Sequence, residues 1–544
     1  MRIGPAKLRI LVLGAFFLSG AAALAYEVVW TRAFSTLLGS TTYALSTMLA
    51  TFMLGLAIGG ALGGVLADRR PGDLMHLGLC ELGIGAAGLV SVPIIQRLPA
   101  TYLWLYRTFH LIPPVFFALQ VLLCAAVMLV PTLLMGMTFP LAARAVTARL
   151  EDVGTGVGSA YSFNTLGAVL GSVLTGFLLV PSLGLKGATA VAGAVNLAAG
   201  TALIVFSGDP RRRWAPLLAL LYLPAAGALT LDRDWTIVTF FDAHRYLDEV
   251  PYDEIVARDR AQLQRLFTGE FAEGNISAFR TLDGFLLLQV GGKLEGTSSS
   301  DLGNTLLLAD LPIAAHARPE RMLVVGLGAG RTLQEARRHV PRVDVVEIHP
   351  GVVEVVRRFG PRGVLDGIEI IRDDARNFLL KAERREYDVI SSEPSYPTDF
   401  GISNLFTREY FQLAATRLAP DGIYCQWLPY YLLTNDDVTT MVRTFASVFP
   451  HASIWKVPLS LDLIMIGSRT PFARSVEEIQ QRVSALIPGA PPAYVLSRSP
   501  EAVRDIARRE DVPLNTDDRP IVEFSVARNL LIGDLGLVER GQRR

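Results

Sequence analysis

The sequence predicts two dissimilar parts: an N-terminal all-α polytopic membrane bundle of about seven spans, then a small β hairpin region and an α/β domain built on a parallel sheet. Three observations carry this. Long apolar stretches crowd the first 231 of 544 residues, charge becomes dense after Leu231, and strand and helix patterns alternate from residue 321 onwards. The expected boundaries are 1–231 for the bundle, 232–320 for a linker and the small β region, and 321–544 for the α/β domain.

Composition narrows the classes. Hydrophobic residues make up 51% of the chain and charged residues 19%, which excludes an ordinary soluble enzyme and a disordered chain. Lysine plus arginine equals aspartate plus glutamate at 51 each, so there is no basic footprint and no nucleic-acid partner is expected. Cys80, Cys124 and Cys425 lie far apart, without metal-ligand or redox spacing, and no metal is expected.

The membrane elements follow from charge spacing. Only Glu27 and Arg32 are charged between Ile10 and Ala67, nothing is charged from Leu111 to Ala143, and only Lys186 from Val153 to Phe206. A spanning helix needs about 20 apolar residues. Spans are expected at 8–31, 42–67, 74–96, 112–138, 155–180, 185–206 and 214–231. Glycines four apart, as in Gly55, Gly59 and Gly63 or Gly167 and Gly171, share a helix face and permit close helix contact. Glu81 is expected to be structural, and Asn164 and Asn196 to form interhelical hydrogen bonds.

Up to Arg213 there are 14 basic and 7 acidic residues, a charge of +7; the remainder, with 37 and 44, carries −7. Ten loop cations fall on one side and four on the other, which places the N-terminus in the cytoplasm. Seven crossings would put the C-terminal domain outside.

The α/β half opens with RMLVVGLGAG, a buried-strand run followed at once by Gly326, Gly328 and Gly330, then a helical stretch. Glycines here let the backbone turn sharply and approach a ligand. The next strand, VDVVEIHP, ends with Glu347, placed to accept both hydroxyls of a ribose. Further strand ends carry Asp373-Asp374-Ala375, Ser392-Glu393-Pro394 and Trp427 with Tyr430 and Tyr431. Ligands of such sheets sit beyond the carboxyl ends of the strands. His349 reads as an ordinary surface residue, Gly292-Lys293 as a hairpin turn, and Asp517-Asp518-Arg519 as a structural clasp.

Residues 275–470 resemble the spermidine synthase (polyamine aminopropyltransferase) family, a branch of the class I methyltransferase-like (Rossmann-like) fold. The whole chain resembles its membrane-fused bacterial members through SGAAALAYEVVWTR, GSAYSFNTLGAVLGSVLTGFLLVPSLG, SSEPSYP, LFTREYF, QWLPYY and LNTDDRPIVEF. This resemblance implies decarboxylated S-adenosylmethionine, or S-adenosylmethionine itself, as donor and a small amine as acceptor. It matches Gly326, Gly328 and Gly330 to the donor loop, Glu347 to the ribose acid, Asp374-Ala375 to the adenine side and Glu393 to the catalytic acid. Tyr396, Trp427 and Tyr430 become substrate-pocket candidates. Ala329, Tyr396 and Thr305 stand where polyamine enzymes carry amine-site groups, so a putrescine site looks altered. Two other readings stay open: an S-adenosylmethionine-dependent methyltransferase, and a membrane carrier or scaffold with a non-catalytic adenosyl-binding domain. The segment GGVLADRRPG, which resembles a loop of major facilitator transporters, belongs with the latter. Expected partners are the lipid bilayer and the amine; a homo-oligomer is compatible with the sequence. The donor is a cytoplasmic product, which conflicts with an external domain.

Overall fold

In a computed structural model, residues 4–38, 40–70, 74–109, 113–147, 152–209, 220, 222–228, 250–297, 302–381, 387–399, 401–430, 433–456, 462–486 and 495–525 are described. They form two compact units, the first mainly the N-terminal helices and the second mainly residues 275 onwards.

The first unit contains α1 (Pro5–Leu38), α2 (Thr42–Arg69), α3 (Leu74–Phe109), α4 (Pro113–Val146), α5 (Val153–Leu174) and α6 (Val180–Phe206), with a π turn, Thr175–Leu179, between the last two. Five helical stretches among the described residues are long and apolar enough to cross a membrane. The expected count of seven is not reproduced. The fifth stretch, Val153–Phe206, has 54 residues, or roughly 80 Å of helix at 1.5 Å per residue, against about 30 Å of hydrocarbon. Gly184 breaks it, at φ +70° and ψ 178°, a conformation that side chains disfavour. Most of the expected span 214–231 lies outside the described residues; 222–228 is helical, and the Tyr222 hydroxyl donates to Ala190 O at 2.9 Å.

Small residues set the helix spacing. A Cβ on Gly59 would lie 2.0 Å from Leu133 O, and one on Gly136 2.3 Å from Leu56 O, so α2 and α4 touch backbone to backbone. Gly167 and Gly171 hold α5 equally close to Phe17 and Ala21 of α1. Glu81 and Asn196 are both buried, and the asparagine amide donates to the carboxylate at 2.6 Å. Asn164 donates to Phe16 O at 3.1 Å.

The second unit holds two sheets. Strands β1 (Leu263–Glu270), β2 (Asn275–Thr281), β3 (Leu286–Val290) and β4 (Lys293–Thr297) form one, in sequence order. A two-residue turn, Gly291-Gly292, with φ of +59° and +79°, joins β3 to β4. Leu288 pairs with Gly296 while Gln289 pairs with Leu294, so Glu295 is the extra residue of a β-bulge.

The larger sheet has the order β12-β10-β11-β9-β8-β5-β6-β7. Its members are β5 (Arg321–Val325), β6 (Arg342–Val346), β7 (Ile370–Ile371), β8 (Tyr387–Ser392), β9 (Leu418–Pro429), β10 (His451–Lys456), β11 (Asp462–Ser468) and β12 (Val495–Arg498). Strands β5 to β9 pair in parallel. The sheet is not parallel throughout as expected: β11 runs antiparallel to β9 and β10, and β12 antiparallel to β10. Only five residues lie between the end of β10 at Lys456 and the start of β11 at Asp462, too few for the crossover that a parallel pair needs. The core beside β8 and β9 is aromatic, with Tyr424 and Phe449 stacked at 5.3 Å and Phe411 and Phe445 edge to face.

Gly59→Val should abolish the monodisperse peak of the detergent-solubilised protein, since overpacking at a backbone contact costs about 1–3 kcal/mol or more. Gly64→Val, on the same helix with open space at its Cβ, should leave that peak unchanged in size-exclusion chromatography.

Candidate active site

The chain leaves β5 toward β6 and β7 on one side, then returns to place β8 on the other side of β5. That reversal opens a crevice at the carboxyl ends of the strands. Gly326–Gly330 follows β5, Glu347 follows β6, Asp374 lies past β7, and Glu393 follows β8.

Backbone crowding explains the first glycine. A Cβ on Gly326 would lie 2.7 Å from Glu393 O, and its φ is +88°. Gly328 and Gly330 also have positive φ, at +48° and +80°. Gly330 caps the helix α7 (Arg331–His339). Ala329 is buried, with its N–H against β4: a Cβ on Gly296 would sit 2.9 Å from it.

Glu347 is buried and ties two elements together. Its Oε2 accepts from Leu327 N at 2.9 Å and its Oε1 from His349 N at 2.7 Å. Burial pushes its pKa up, opposed by the N–H donors of His349, Leu327 and Ile348. His349 is not on the surface as expected: it is 4% exposed and its Nδ1 accepts from Gly351 N at the start of the following helix. Asp374 accepts from Asn377 N at 2.9 Å as the cap of a short helix beginning at Ala375, which is buried. Next to it, Arg376 forms a bidentate pair with Asp517, so the clasp expected of the C-terminal motif reaches the Asp374-Ala375 segment.

Glu393 is half-buried, and the Thr332 hydroxyl lies 3.0 Å from its Oε2 and 3.2 Å from Thr305 O. Tyr396 is half-buried on the same loop. Trp427 lies on β9, donating its indole N–H to Asp462 Oδ1 at 3.1 Å, while Asn304 donates to Asp462 Oδ2 at 2.5 Å. Tyr430 is packed into the main hydrophobic core; Tyr431 lies outside the described residues.

Sequence reasoning missed three charged neighbours. Lys293 is the first residue of β4, not part of the turn, and is ion-paired with Asp399; both are buried. Its Nζ stands 5.0 Å from the centre of the Tyr396 ring. Glu295, on the bulge, accepts a hydrogen bond from the Ser395 hydroxyl. Burial first, and then Asp399 and Glu347, push Glu295 up to about 7, while Ser395 and Lys293 pull it down. The Lys-x-Glu spacing after a glycine turn was the available signal.

A carboxyl raised in the folded state stabilises below its unfolded range, near 4.5, and loses that contribution as pH rises through about 7. Glu295→Gln should therefore raise the thermal unfolding midpoint at pH 8 and leave it unchanged at pH 4, measured by differential scanning fluorimetry.

Residues 303–466 match the family model described as the spermine/spermidine synthase domain. The chain is 27% identical over 438 residues to polyamine aminopropyltransferase 1 of Streptomyces coelicolor, covering 76% of this chain and 75% of the relative. It is 28% identical over 446 residues to polyamine aminopropyltransferase 2 of the same organism, covering 77% and 74%. Putrescine N-methyltransferase 2 of Nicotiana tabacum is 28% identical over 182 residues, 31% of this chain and 50% of that protein.

Proposed function

We propose, from the premise that this chain is a spermidine synthase-like transferase, that it moves an aminopropyl group from decarboxylated S-adenosylmethionine to a small amine. The observation that supports this reading best is the gathering of Gly326–Gly330, Glu347, Asp374 and Glu393 at adjacent strand ends, with Glu347 bonded to the glycine loop. In this reading 321–544 is the catalytic part, 232–320 the linker and β region, and 1–231 the membrane part.

The roles follow from chemistry. Glu347 has lone pairs left on both oxygens for two ribose hydroxyls. The loop N–H groups and Asp374-Ala375 bracket the nucleoside. The donor's sulfonium carries the electrophilicity, so the protein has to position an amine in line behind the reacting carbon. The nitrogen lone pair forms the new C–N bond as the C–S bond breaks, and that bond's electron pair leaves on sulfur as neutral methylthioadenosine. Glu393 takes the proton that the nitrogen sheds. Tyr396, Trp427 and Tyr430 are assigned to the acceptor side.

Detergent-purified full-length protein given this donor and an amine should release methylthioadenosine, detected by mass spectrometry. Glu393→Gln should lower the rate about 10²–10⁴-fold, and Glu347→Ala should weaken donor binding in calorimetry. S-adenosylhomocysteine as by-product would establish the methyltransferase reading instead, and donor binding without turnover the carrier or scaffold reading. Because a cationic donor favours ionised Glu295, its affinity should rise as pH passes upward through about 7.

Five long apolar helical stretches can cross a membrane, and the fifth, with 54 residues broken at Gly184, is long enough to cross twice; the basic-residue bias supports a cytoplasmic N-terminus, and the resemblance to membrane-fused bacterial members an inner membrane. The reaction needs the α/β unit beside its cytoplasmic donor, hence an even number of crossings. A phosphatase reporter fused after Leu231 should accordingly be inactive; an active, external reporter would remove the cytoplasmic donor from consideration.

A further inference from the structure

The loop after β8 carries carboxylates at two places, Glu393 at its start and Asp399 six residues on, with Tyr396 between them. Strand β4 lies opposite and adds Glu295, whose carboxylate feels Lys293, Asp399 and Glu347. Lys293 itself is buried at 6% exposure and Asp399 at 4%, and the two form an ion pair. The ammonium also faces the Tyr396 ring at 5.0 Å, within the range of cation–π attraction. A carboxylate, an aromatic face and an exclusion of water are the elements that would hold an alkylammonium group of a ligand. Here the protein fills that place with its own side chain.

We propose that Lys293 determines acceptor specificity by occupying the position of a second acceptor cation, so that the amine substrate has one basic nitrogen and an uncharged remainder. The inference rests on the aminopropyl-transfer reading above. The reacting nitrogen lies at Glu393, where its proton is lost. The far end of the acceptor then meets Asp399 already neutralised, with the Lys293 ammonium beside it. A terminal ammonium arriving there would be desolvated next to a like charge, and Glu295, which burial holds toward its neutral form, would have to ionise to answer it, which is costly in a buried site. An alkyl end loses little water and packs against the Tyr396 ring.

The pair n-butylamine and 1,4-diaminobutane tests this, since both have four carbons and only one has a distal ammonium. Full-length protein should favour n-butylamine by about 100-fold in kcat/KM, the scale on which sites reject unmatched polar groups. Lys293→Met leaves Asp399 open to an external cation and should reverse the preference. The double variant Lys293→Met with Asp399→Asn removes both charges, and should keep the preference for n-butylamine while guarding against a folding defect in the single variant. The same ratio is read by calorimetry, titrating each amine into protein saturated with methylthioadenosine. A diamine preference in the unmodified protein, or an unchanged ratio in Lys293→Met, overturns the proposal. If turnover is absent with both amines but the binding ratio and its reversal hold, the transfer reaction fails and the Lys293 assignment stands.

Discussion

The bond from Leu327 N to the Glu347 carboxylate is the constraint on which the rest of the α/β unit depends. It fastens the glycine loop to the end of β6, and neither partner could reach the other without the parallel pairing of β5 and β6. The left-handed backbone of the loop is then held by a fixed acceptor within the protein. That matters because a backbone N–H without a partner would otherwise turn toward water. Thr332, at the start of the following helix, extends the same restraint to Glu393 through a 3.0 Å contact. The glycine loop, Glu347 and Glu393 are therefore fixed relative to one another by the protein's own hydrogen bonds.

The cluster formed by β4 and the loop after β8 is built on the opposite principle. Charges gather there under burial, and at least one, Glu295, is held where its ionisation is easily tipped. Such a cluster is poorly suited to stabilising the fold, since desolvating several carboxylates for one lysine returns less than it costs. Two carboxylates in different circumstances thus sit within a few residues of β4 and the loop after β8: Asp399 ion-paired with Lys293, and Glu295 held by burial toward its neutral form.

Much of this was legible from sequence because it depends on local pattern. Glycines after a buried strand, and acids at the ends of the next strands, are fixed by chain order alone; Gly326, Glu347, Asp374 and Glu393 all fall at adjacent edges of the sheet. The glycine spacing in α2 likewise foretold the contact of Gly59 with Leu133. What was not legible depends on distant pairing. Lys293 looked like part of a turn because two-residue turns shift the first strand residue by one position. His349 looked exposed because its burial comes from neighbours, not from its own segment. The antiparallel half of the sheet escaped notice since strand direction is set by the connection between β10 and β11, not by composition. The crossing count blurred where Gly184 bends an otherwise unbroken apolar run.

The bulge at Glu295 carries one more consequence. In a regular strand, consecutive residues face opposite sides, so a carboxylate and a side-chain-free seat for a neighbouring backbone could not sit side by side. The extra residue lets Glu295 enter the charged cluster while Gly296 closes on Ala329 N. A single inserted codon in a hairpin would suffice to create that arrangement, and its deletion to erase it. A length change in the β region can therefore add a carboxylate to this cluster or remove one while leaving every strand of the large sheet untouched.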